Sequence, residues 1–149
     1  MNETAVTRHV EFEAAHLLEG YSGRCGSLHG HSYSLEVTVS LSEYYRTQHD
    51  FGFVMDFKKL DSILDEYIPD HCFITNTNNG LDTVDGAIAN IIESNNLRIF
   101  KMDGAPSAEN MVNMFAKDLQ TVLQKEGFIV EEVKLWETTN SYASWRRVQ

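Results

Sequence analysis

Alternating apolar and polar residues mark two long strands in the first third of the chain. In the run "HSYSLEVTVSLS", His31 shares its parity with five apolar or aromatic residues, and the other parity holds serine, threonine and glutamate. The earlier run "RHVEFEAAH" alternates in the same way and places His16 on its apolar side. A period of two residues is typical of half-buried antiparallel strands. We therefore predict strands over residues 8–16 and 31–42.

A period near 3.6 residues marks two amphipathic helices farther along the chain. The segment "MDFKKLDSILDEYIPD" has apolar residues at helical spacing, with Asp56 at the N-cap position and Pro69 near its end. The segment "PSAENMVNMFAKDLQTVLQKEG" has a similar apolar stripe between a predicted N-cap at Ser107 and a predicted stop at Gly127. Both segments carry the start and stop signals of helices that pack one face against a core.

The remaining segments complete an α+β pattern. An insertion at about residues 78–103 is predicted to contain a helix over about 82–94 and a strand over about 97–102. The C-terminal segment predicts one or two strands with a turn near residues 140–141. The order of elements predicts a single domain over residues 1–149, in which helices cover one face of an antiparallel sheet.

Composition narrows the class of protein. The apolar fraction of 42% and the charged fraction of 23% are near the average of globular domains. The formal net charge of −10 argues against binding to nucleic acid or to an anionic membrane, since both need basic surface. No apolar run is long enough to span a membrane, and the first residues lack the pattern of a signal peptide. We therefore expect a cytoplasmic protein whose two cysteines, Cys25 and Cys72, are free thiols.

The stretch "RCGSLHGHSY" offers candidate metal ligands. His29 and His31 lie two residues apart in a predicted strand, so their side chains point to the apolar face of that strand. His16 has the parity of the apolar residues in its own strand. Three imidazoles directed to one shielded region are the ligand set of many catalytic zinc sites. A single histidine on an apolar face is more often an ordinary core residue, and the spacing alone leaves both interpretations open.

Cys25 precedes this histidine pair in a glycine-flanked loop beside Arg24. A nearby cation and a metal ion would favour its thiolate, which can act as a base or as a nucleophile. Two other interpretations remain open at this stage. The cysteine is either an inert small residue in a turn, or a fourth metal ligand that closes the site.

Four further positions carry a carboxylate or an imidazole. Asp70 and His71 follow the first helix and form a candidate proton-relay pair, although the same dipeptide often serves as a helix cap. Glu137 shares the parity of apolar residues in a predicted strand. There it either accepts two parallel hydrogen bonds from a heterocycle or remains a solvated carboxylate. Glu109 fits the first turn of its helix.

Six short blocks of the chain occur in the order found in a known family. They are "FEAAH", "CGSLHGHSY", "GFVMDF", "PDHCFITN", "GAPSAEN" and "WET", and they cover nearly the whole chain apart from about residues 78–103. With these blocks the sequence resembles the 6-pyruvoyl-tetrahydropterin synthase family. It is most similar to the bacterial branch that forms a 6-carboxy product for 7-deazaguanine (queuosine) synthesis, because three residues separate Cys25 from "HGH". The insertion, and "PSAEN" in place of the commoner "PTAEN" or "PTSE", depart from the family pattern.

The resemblance implies a tunnelling fold (T-fold), in which a four-stranded antiparallel sheet carries helices on one face. Three subunits would close a barrel, and two trimers would stack into a homohexamer with active sites between subunits. The site residues that it implies by position are the zinc ligands His16, His29 and His31, the catalytic residues Cys25, Asp70 and His71, and the substrate-binding residues Glu137, Thr138 and Glu109.

The implied activity is that of a zinc-dependent lyase. It would convert 7,8-dihydroneopterin triphosphate to 6-carboxy-5,6,7,8-tetrahydropterin and release acetaldehyde and triphosphate. Three alternatives stay open. The chain could eliminate triphosphate only and give the 6-pyruvoyl product, serve as a zinc-stabilised pterin-binding module without turnover, or act as a cysteine hydrolase through Cys25 and His71.

Overall fold

The two predicted N-terminal strands form the centre of the sheet. The computed structural model of the chain describes residues 4–46 and 52–148. Strand β1 (Ala5–His16) pairs antiparallel with strand β2 (His29–Leu41) along its whole length. Both strands start earlier than predicted, and burial alternates along them because one face covers the core and the other does not.

Four further strands extend this central pair on both sides. They are β3 (Cys72–Asn76), β4 (Ile99–Met102), β5 (Phe128–Thr138) and β6 (Ser141–Arg146). Strand β5 pairs antiparallel with β2, and β6 pairs antiparallel with β5. On the other side, β3 pairs parallel with β1, and β4 pairs parallel with β3. The order across the sheet is β4-β3-β1-β2-β5-β6.

The predicted four-stranded antiparallel sheet is therefore wrong, because the sheet is mixed and has six strands. The pairings among β1, β2, β5 and β6 are antiparallel, as predicted. The prediction missed β3 because the run "CFITN" is too short and too uniformly buried to show a period of two residues. The predicted strand over about 97–102 exists as β4, and it uses β3 as its partner.

Four helices accompany the sheet: α1 (Glu43–Arg46), α2 (Phe57–Tyr67), α3 (Val84–Ser94) and α4 (Ala108–Leu123). The last three confirm the predicted helices, with shorter ends, and the one-turn α1 was not predicted. Among the described residues, no helix is long and apolar enough to cross a membrane.

The predicted helix signals at Asp56, Ser107 and Gly127 are confirmed. The side chain of Asp56 accepts a hydrogen bond from the N–H of Lys58, and that of Ser107 accepts one from the N–H of Asn110. After α4, a turn of 3-10 helix ends at Gly127, whose φ of +83° lies in the left-handed region that favours glycine.

The core lies between the sheet and helices α2 and α4. Its largest fully buried side chains include Tyr33 and Leu35 of β2, Leu64 of α2 and Phe115 of α4. His16 is only 2% exposed and lies where β1 ends. The strand pattern thus carries an imidazole to the end of the apolar core, where an unpaired polar nitrogen would be costly.

Candidate functional site

Three histidines meet where β1 ends and β2 begins. His16 lies opposite His29 in the antiparallel register, and Ala14 lies opposite His31. One ring nitrogen from each histidine lies within 4.8 Å of those of the other two. The antiparallel register therefore brings together three ligands that are up to fifteen positions apart in the sequence, because residues opposite each other in a ladder share a face.

Main-chain carbonyls determine which ring nitrogen of His16 and of His29 carries the hydrogen. Nδ1 of His16 lies 2.6 Å from the carbonyl oxygen of Pro106, and Nδ1 of His29 lies 2.7 Å from that of Ser27. Because a carbonyl oxygen only accepts, each Nδ1 carries the hydrogen, and each Nε2 keeps a lone pair. The two Nε2 atoms nevertheless lie 3.1 Å apart. Two facing acceptors at this distance fit a shared cation better than a hydrogen bond.

His31 completes this arrangement. Its Nε2 is buried and has no hydrogen-bond partner among the described residues. A buried polar nitrogen without a hydrogen-bond partner destabilises the fold, and a bound ion is one explanation for such an atom. The three nitrogens therefore fit a metal ion that prefers neutral imidazole, such as zinc, with main-chain carbonyls orienting two of the rings.

Burial favours the neutral form of two histidines of the cluster, His16 and His31, because it lowers their pKa. Burial, with smaller contributions from the neighbouring imidazoles, lowers the pKa of His16 to about 4 against the opposing effect of the Pro106 carbonyl. Burial also lowers the pKa of His31, although the charge of Glu137 opposes this shift. Neutral imidazole is the form that binds a metal ion, so the environment holds these two residues in the ligating state.

A cavity of about 510 Å³ adjoins the cluster and collects several of the predicted residues. His16, Cys25, Glu109 and Glu137 all line it. The Oε1 atom of Glu137 lies 3.9 Å from Nε2 of His16 and 4.0 Å from Nε2 of His31. The cavity thus combines one histidine of the cluster, a thiol and two carboxylates. Within the described chain, no arginine or lysine lines it.

Cys25 stands on a turn of 3-10 helix between the two central strands, and its side chain is exposed. Its carbonyl oxygen accepts a hydrogen bond of 2.8 Å from the N–H of Leu18. The next residue must be Gly26, because a Cβ there would lie 1.9 Å from the carbonyl oxygen of Tyr21. In the part of the chain that the structure describes, the group of close ligands holds the three histidines and does not include Cys25. This favours an open metal site with a separate thiol.

Asp70 and His71 do form a side-chain pair. Nδ1 of His71 lies 2.9 Å from Oδ1 of Asp70, which also accepts a hydrogen bond of 3.0 Å from the N–H of Glu13. The N–H of His71 donates to the carbonyl oxygen of Glu13 at 2.6 Å, and His71 has a φ of +55°. The Glu13 N–H, followed by His71, lowers the pKa of Asp70. Asp70 therefore orients an imidazole rather than capping α2, which ends at Tyr67.

His71 does not line the cavity that holds Cys25. It lines a second cavity of about 700 Å³, together with Gly30, His31, Leu97 and Arg98. The fold of one chain thus places the thiol and the Asp70–His71 pair beside two different cavities, both of which include a histidine of the cluster.

Thr138 lies at the exposed end of β5, outside the residues that line either cavity in the described chain. Its hydroxyl oxygen accepts a hydrogen bond of 3.3 Å from the N–H of Asn140 at the turn. In this chain alone, Thr138 therefore contacts the β5–β6 turn rather than the site that contains Glu137.

Sequence patterns missed the groups that orient the candidate residues. These groups are the carbonyl oxygens of Ser27 and Pro106 and the main chain of Glu13. Tyr33 is one of the five residues that share the parity of His31, and the pattern predicts only that it is buried, yet its hydroxyl oxygen lies 3.2 Å from Nε2 of His16. Burial, followed by the charges of Glu137 and Cys25, raises the pKa of Tyr33 well above its usual value. Main-chain carbonyls leave no signal in the sequence, although Tyr33 stands inside the histidine motif.

Comparison with known proteins identifies the family of the chain. The sequence model of the 6-pyruvoyl tetrahydropterin synthase family matches residues 5–148. A relative from Haemophilus influenzae named 6-carboxy-5,6,7,8-tetrahydropterin synthase is 29% identical over 95% of this chain and 97% of its own. A relative of the same name from Aquifex aeolicus is 33% identical over 83% of this chain and 76% of its own.

Two solved structures share the fold. An uncharacterised protein from Wolinella succinogenes has a TM-score of 0.78 at 17% identity, with 99% of this chain and 100% of that chain covered. The 6-pyruvoyl tetrahydropterin synthase of Caenorhabditis elegans has a TM-score of 0.65 at 19% identity, with 99% and 98% covered. From the match over nearly its whole length, the chain belongs to the 6-pyruvoyl tetrahydropterin synthase family.

Proposed function

We propose that this chain is a zinc-dependent 6-carboxytetrahydropterin synthase. The observation that carries the proposal is the cluster of three imidazoles, one of which, His16, lines a cavity together with Cys25 and Glu137. The names of the bacterial relatives support the choice of product. The substrate would be 7,8-dihydroneopterin triphosphate, and the pathway that of 7-deazaguanine (queuosine) synthesis.

His16, His29 and His31 would hold the zinc ion. When bound, zinc supplies a Lewis acid that acidifies hydroxyl groups coordinated to it. The hydrogen bonds from Nδ1 of His16 and His29 to main-chain carbonyls fix the two rings and their tautomers before the ion binds. The protein would therefore bind the ion at little cost in reorganisation.

Glu137 would recognise the pterin ring. It is 28% exposed and lines the same cavity as Cys25, so its carboxylate can reach a ligand there. A pterin presents an amino group beside a ring N–H, and these two parallel donors match the two oxygens of one carboxylate. Glu109 lines the same cavity from the first turn of α4 and would accept a further hydrogen bond. Thr138 would assist at the end of β5.

Cys25 and His71 would move protons on the substrate side chain. Cys25 is exposed to the first cavity, where its thiolate would take a proton from one side of the side chain. His71 would act from the other side. Asp70 holds its Nδ1 and therefore leaves Nε2 to exchange the proton. The main chain of Glu13 keeps both members of this pair in place.

Assembly would bring these two groups together. Strand β1 pairs with β3 only at Ala14 and Ala15, so the rest of that β1 edge has no partner strand in the described chain. The outer edge of β6 is likewise free. Pairing of these two edges between copies would close a trimeric barrel and protect both edges, and two such trimers would form a hexamer. We propose that the His71 cavity of one subunit then faces the Cys25 cavity of the next.

Arg98 would hold the phosphate tail of the substrate. It is exposed, lines the second cavity with His71, and forms no ion pair within residues 4–46 and 52–148. It is the one arginine or lysine of the described chain that lines either of the two cavities beside the histidines. A polyphosphate needs a local cation in a chain of net charge −10, and the guanidinium group suits phosphate oxygens.

The test is incubation of the zinc-loaded protein with 7,8-dihydroneopterin triphosphate, followed by identification of the products. Acetaldehyde together with a 6-carboxypterin is the expected result. A 6-pyruvoyl product would overturn the assigned product and leave a triphosphate lyase. No turnover by a zinc-loaded oligomer would instead indicate a pterin-binding module, and full activity after chelation would indicate a cysteine hydrolase.

A further inference from the structure

A hydrogen bond ties the loop that carries Cys25 to the start of α3. The carboxylate of Glu19, in the segment between β1 and β2, accepts a hydrogen bond of 2.8 Å from the main-chain N–H of Asp85. Asp85 is the second residue of α3, whose N-cap is Thr83. The first N–H groups of a helix have no partner inside it, so Glu19 satisfies one of them from a distant part of the chain. A carboxylate at this end of a helix is also favoured by the helix dipole.

Hydrogen bonds to the side chain of Asp85 fix the start of α3 against the end of β3. Asp85 is fully buried, and its Oδ2 atom accepts hydrogen bonds from the hydroxyl of Thr75 at 2.7 Å and the side-chain amide of Asn79 at 3.0 Å. The N–H of Asn76 donates to the same oxygen at 3.2 Å. The side chain of Asp85 thus binds α3 to the end of β3, while its main chain faces Glu19.

The other end of the connection is the thiol loop itself. Leu18, the neighbour of Glu19, donates its N–H to the carbonyl oxygen of Cys25 and accepts a hydrogen bond from the N–H of Tyr21 at 3.1 Å. The close approach of Gly26 to the carbonyl oxygen of Tyr21 packs this turn without spare room. A displacement at Glu19 is therefore transmitted through one residue to the main chain that positions Cys25.

We propose that Glu19 is a positioning residue, and that the inserted helix α3 braces the loop that presents Cys25 to the cavity. This inference rests on the proposed catalytic role of Cys25, and it assigns the insertion a part in that role. The brace depends on the reach of the side chain: glutamine keeps an acceptor oxygen at the same position, aspartate is one methylene too short, and alanine removes the group.

The test compares Glu19→Ala, Glu19→Asp and Glu19→Gln in the zinc-loaded protein, with Glu66→Ala as the control. Glu66 is exposed on α2 and outside both cavities. The measurements are kcat, KM, zinc content and the rate at which iodoacetamide alkylates Cys25, located by peptide mass spectrometry. Peptide mapping separates Cys25 from Cys72, the other free thiol.

We expect Glu19→Ala and Glu19→Asp to lower kcat by about 10- to 100-fold, because a displaced catalytic group loses rate without losing substrate affinity. KM and zinc content should change little. Cys25 should be alkylated several-fold faster than in the parent, and by about the same factor in Glu19→Ala and Glu19→Asp. Glu19→Gln should retain most of the parental kcat and alkylation rate. The Glu66→Ala control should match the parent in every measurement.

Two results would overturn the inference. One is a parental alkylation rate in Glu19→Ala and Glu19→Asp. The other is a folded Glu19→Gln protein that behaves like Glu19→Ala, since an acceptor oxygen on a side chain of the right length would then not be enough to position Cys25. The alkylation rate needs no turnover. The parent protein could fail to convert the pterin triphosphate while the alkylation rates of Cys25 in the three variants still differ as expected. In that case the positioning role of Glu19 stands and the proposed function is wrong.

Discussion

The Nε2 atoms of His16 and His29 face each other at 3.1 Å while the Nδ1 of each ring points at a main-chain carbonyl oxygen. Neither Nε2 therefore carries a hydrogen in the neutral ring, and the two lone pairs repel unless a cation lies between them. This contact fits a shared metal ion better than a histidine-histidine hydrogen bond.

Replacing a ligand should remove zinc without unfolding the chain. Loss of a group that only orients a metal ligand weakens metal binding by roughly 10- to 100-fold. We expect His29→Ala, which removes a ligand itself, to weaken zinc binding by more than this. His29 is preferable to His16 because it is half-buried, whereas His16 is part of the core boundary. Zinc content after dialysis is the measurement, and the exposed His9, which is outside the cluster, provides the control His9→Ala. Parental zinc content in His29→Ala would contradict the site.

Removing the thiol should leave the metal in place. We expect Cys25→Ala to keep its zinc and its oligomeric state while losing activity by about 10²- to 10⁴-fold, the usual effect of removing a proton-transfer group. Zinc analysis, sizing and product formation give the three readings. If zinc is lost together with activity, Cys25 is a metal ligand and the site is closed.

Both acceptor oxygens of the Glu137 carboxylate should contribute to pterin affinity. In Glu137→Gln one acceptor oxygen becomes a donor that faces another donor of the pterin, and we expect affinity to fall by about 10- to 100-fold. The measurement is a fluorescence titration with 7,8-dihydroneopterin, which lacks the phosphates, and Glu66→Gln is the matched control. Zinc content should not change. A loss of zinc would show that this residue, 3.9 Å from Nε2 of His16, serves the metal instead.

Arg98 should act on the phosphates alone. We expect Arg98→Ala to weaken inhibition by inorganic tripolyphosphate about 10-fold or more, as removal of a charged hydrogen-bond donor does, and to leave the affinity for 7,8-dihydroneopterin unchanged. Lys101→Ala is the control on the same segment, because Lys101 is already paired with Glu93 at 2.6 Å. Equal inhibition of Arg98→Ala and the parent would place the phosphates elsewhere.

The ionised carboxylate of Asp70 should stabilise the fold at pH values above its titration range and not at pH values below it. Its pKa is lowered in the folded state, so folding favours the carboxylate. That contribution is fully present above the unfolded pKa of about 4 and is lost as the pH falls through the folded value. We expect Asp70→Asn to have a lower denaturation midpoint than the parent at pH 7, and this difference to shrink as the pH falls below about 4. A difference that persists in acid would mean that the charge of Asp70 is not what stabilises the fold.

Sequence patterns predicted the long elements, in which a period repeats several times, and missed the short strand β3. β1 and β2 were recognised because each exposes one face over eleven or more residues, and α4 because one side of its sixteen residues is buried. β3 has five residues, three of them buried in succession, so neither period applies. Its parallel pairing depends on the path of the chain after α2, which no local pattern contains.

The site shows the same division. Strand parity correctly put His16 and His31 on the buried face, and the register between strands then made them neighbours. The carbonyl oxygens that fix the tautomers come from Ser27 and Pro106, residues whose side chains play no part. The separation of Cys25 from His71 into two cavities also follows from tertiary structure alone.

The short junction between β1 and β3 has a consequence for the way the molecule opens. Only Ala14 and Ala15 of β1 pair with β3, whereas β1 and β2 pair along their full length. We therefore expect β3, α3 and β4 to exchange their amide hydrogens as one cooperative unit, at a lower free energy than the four antiparallel strands. Asp70 and His71 stand at the root of that unit. A partial opening would remove the imidazole from the site and leave the histidine cluster intact.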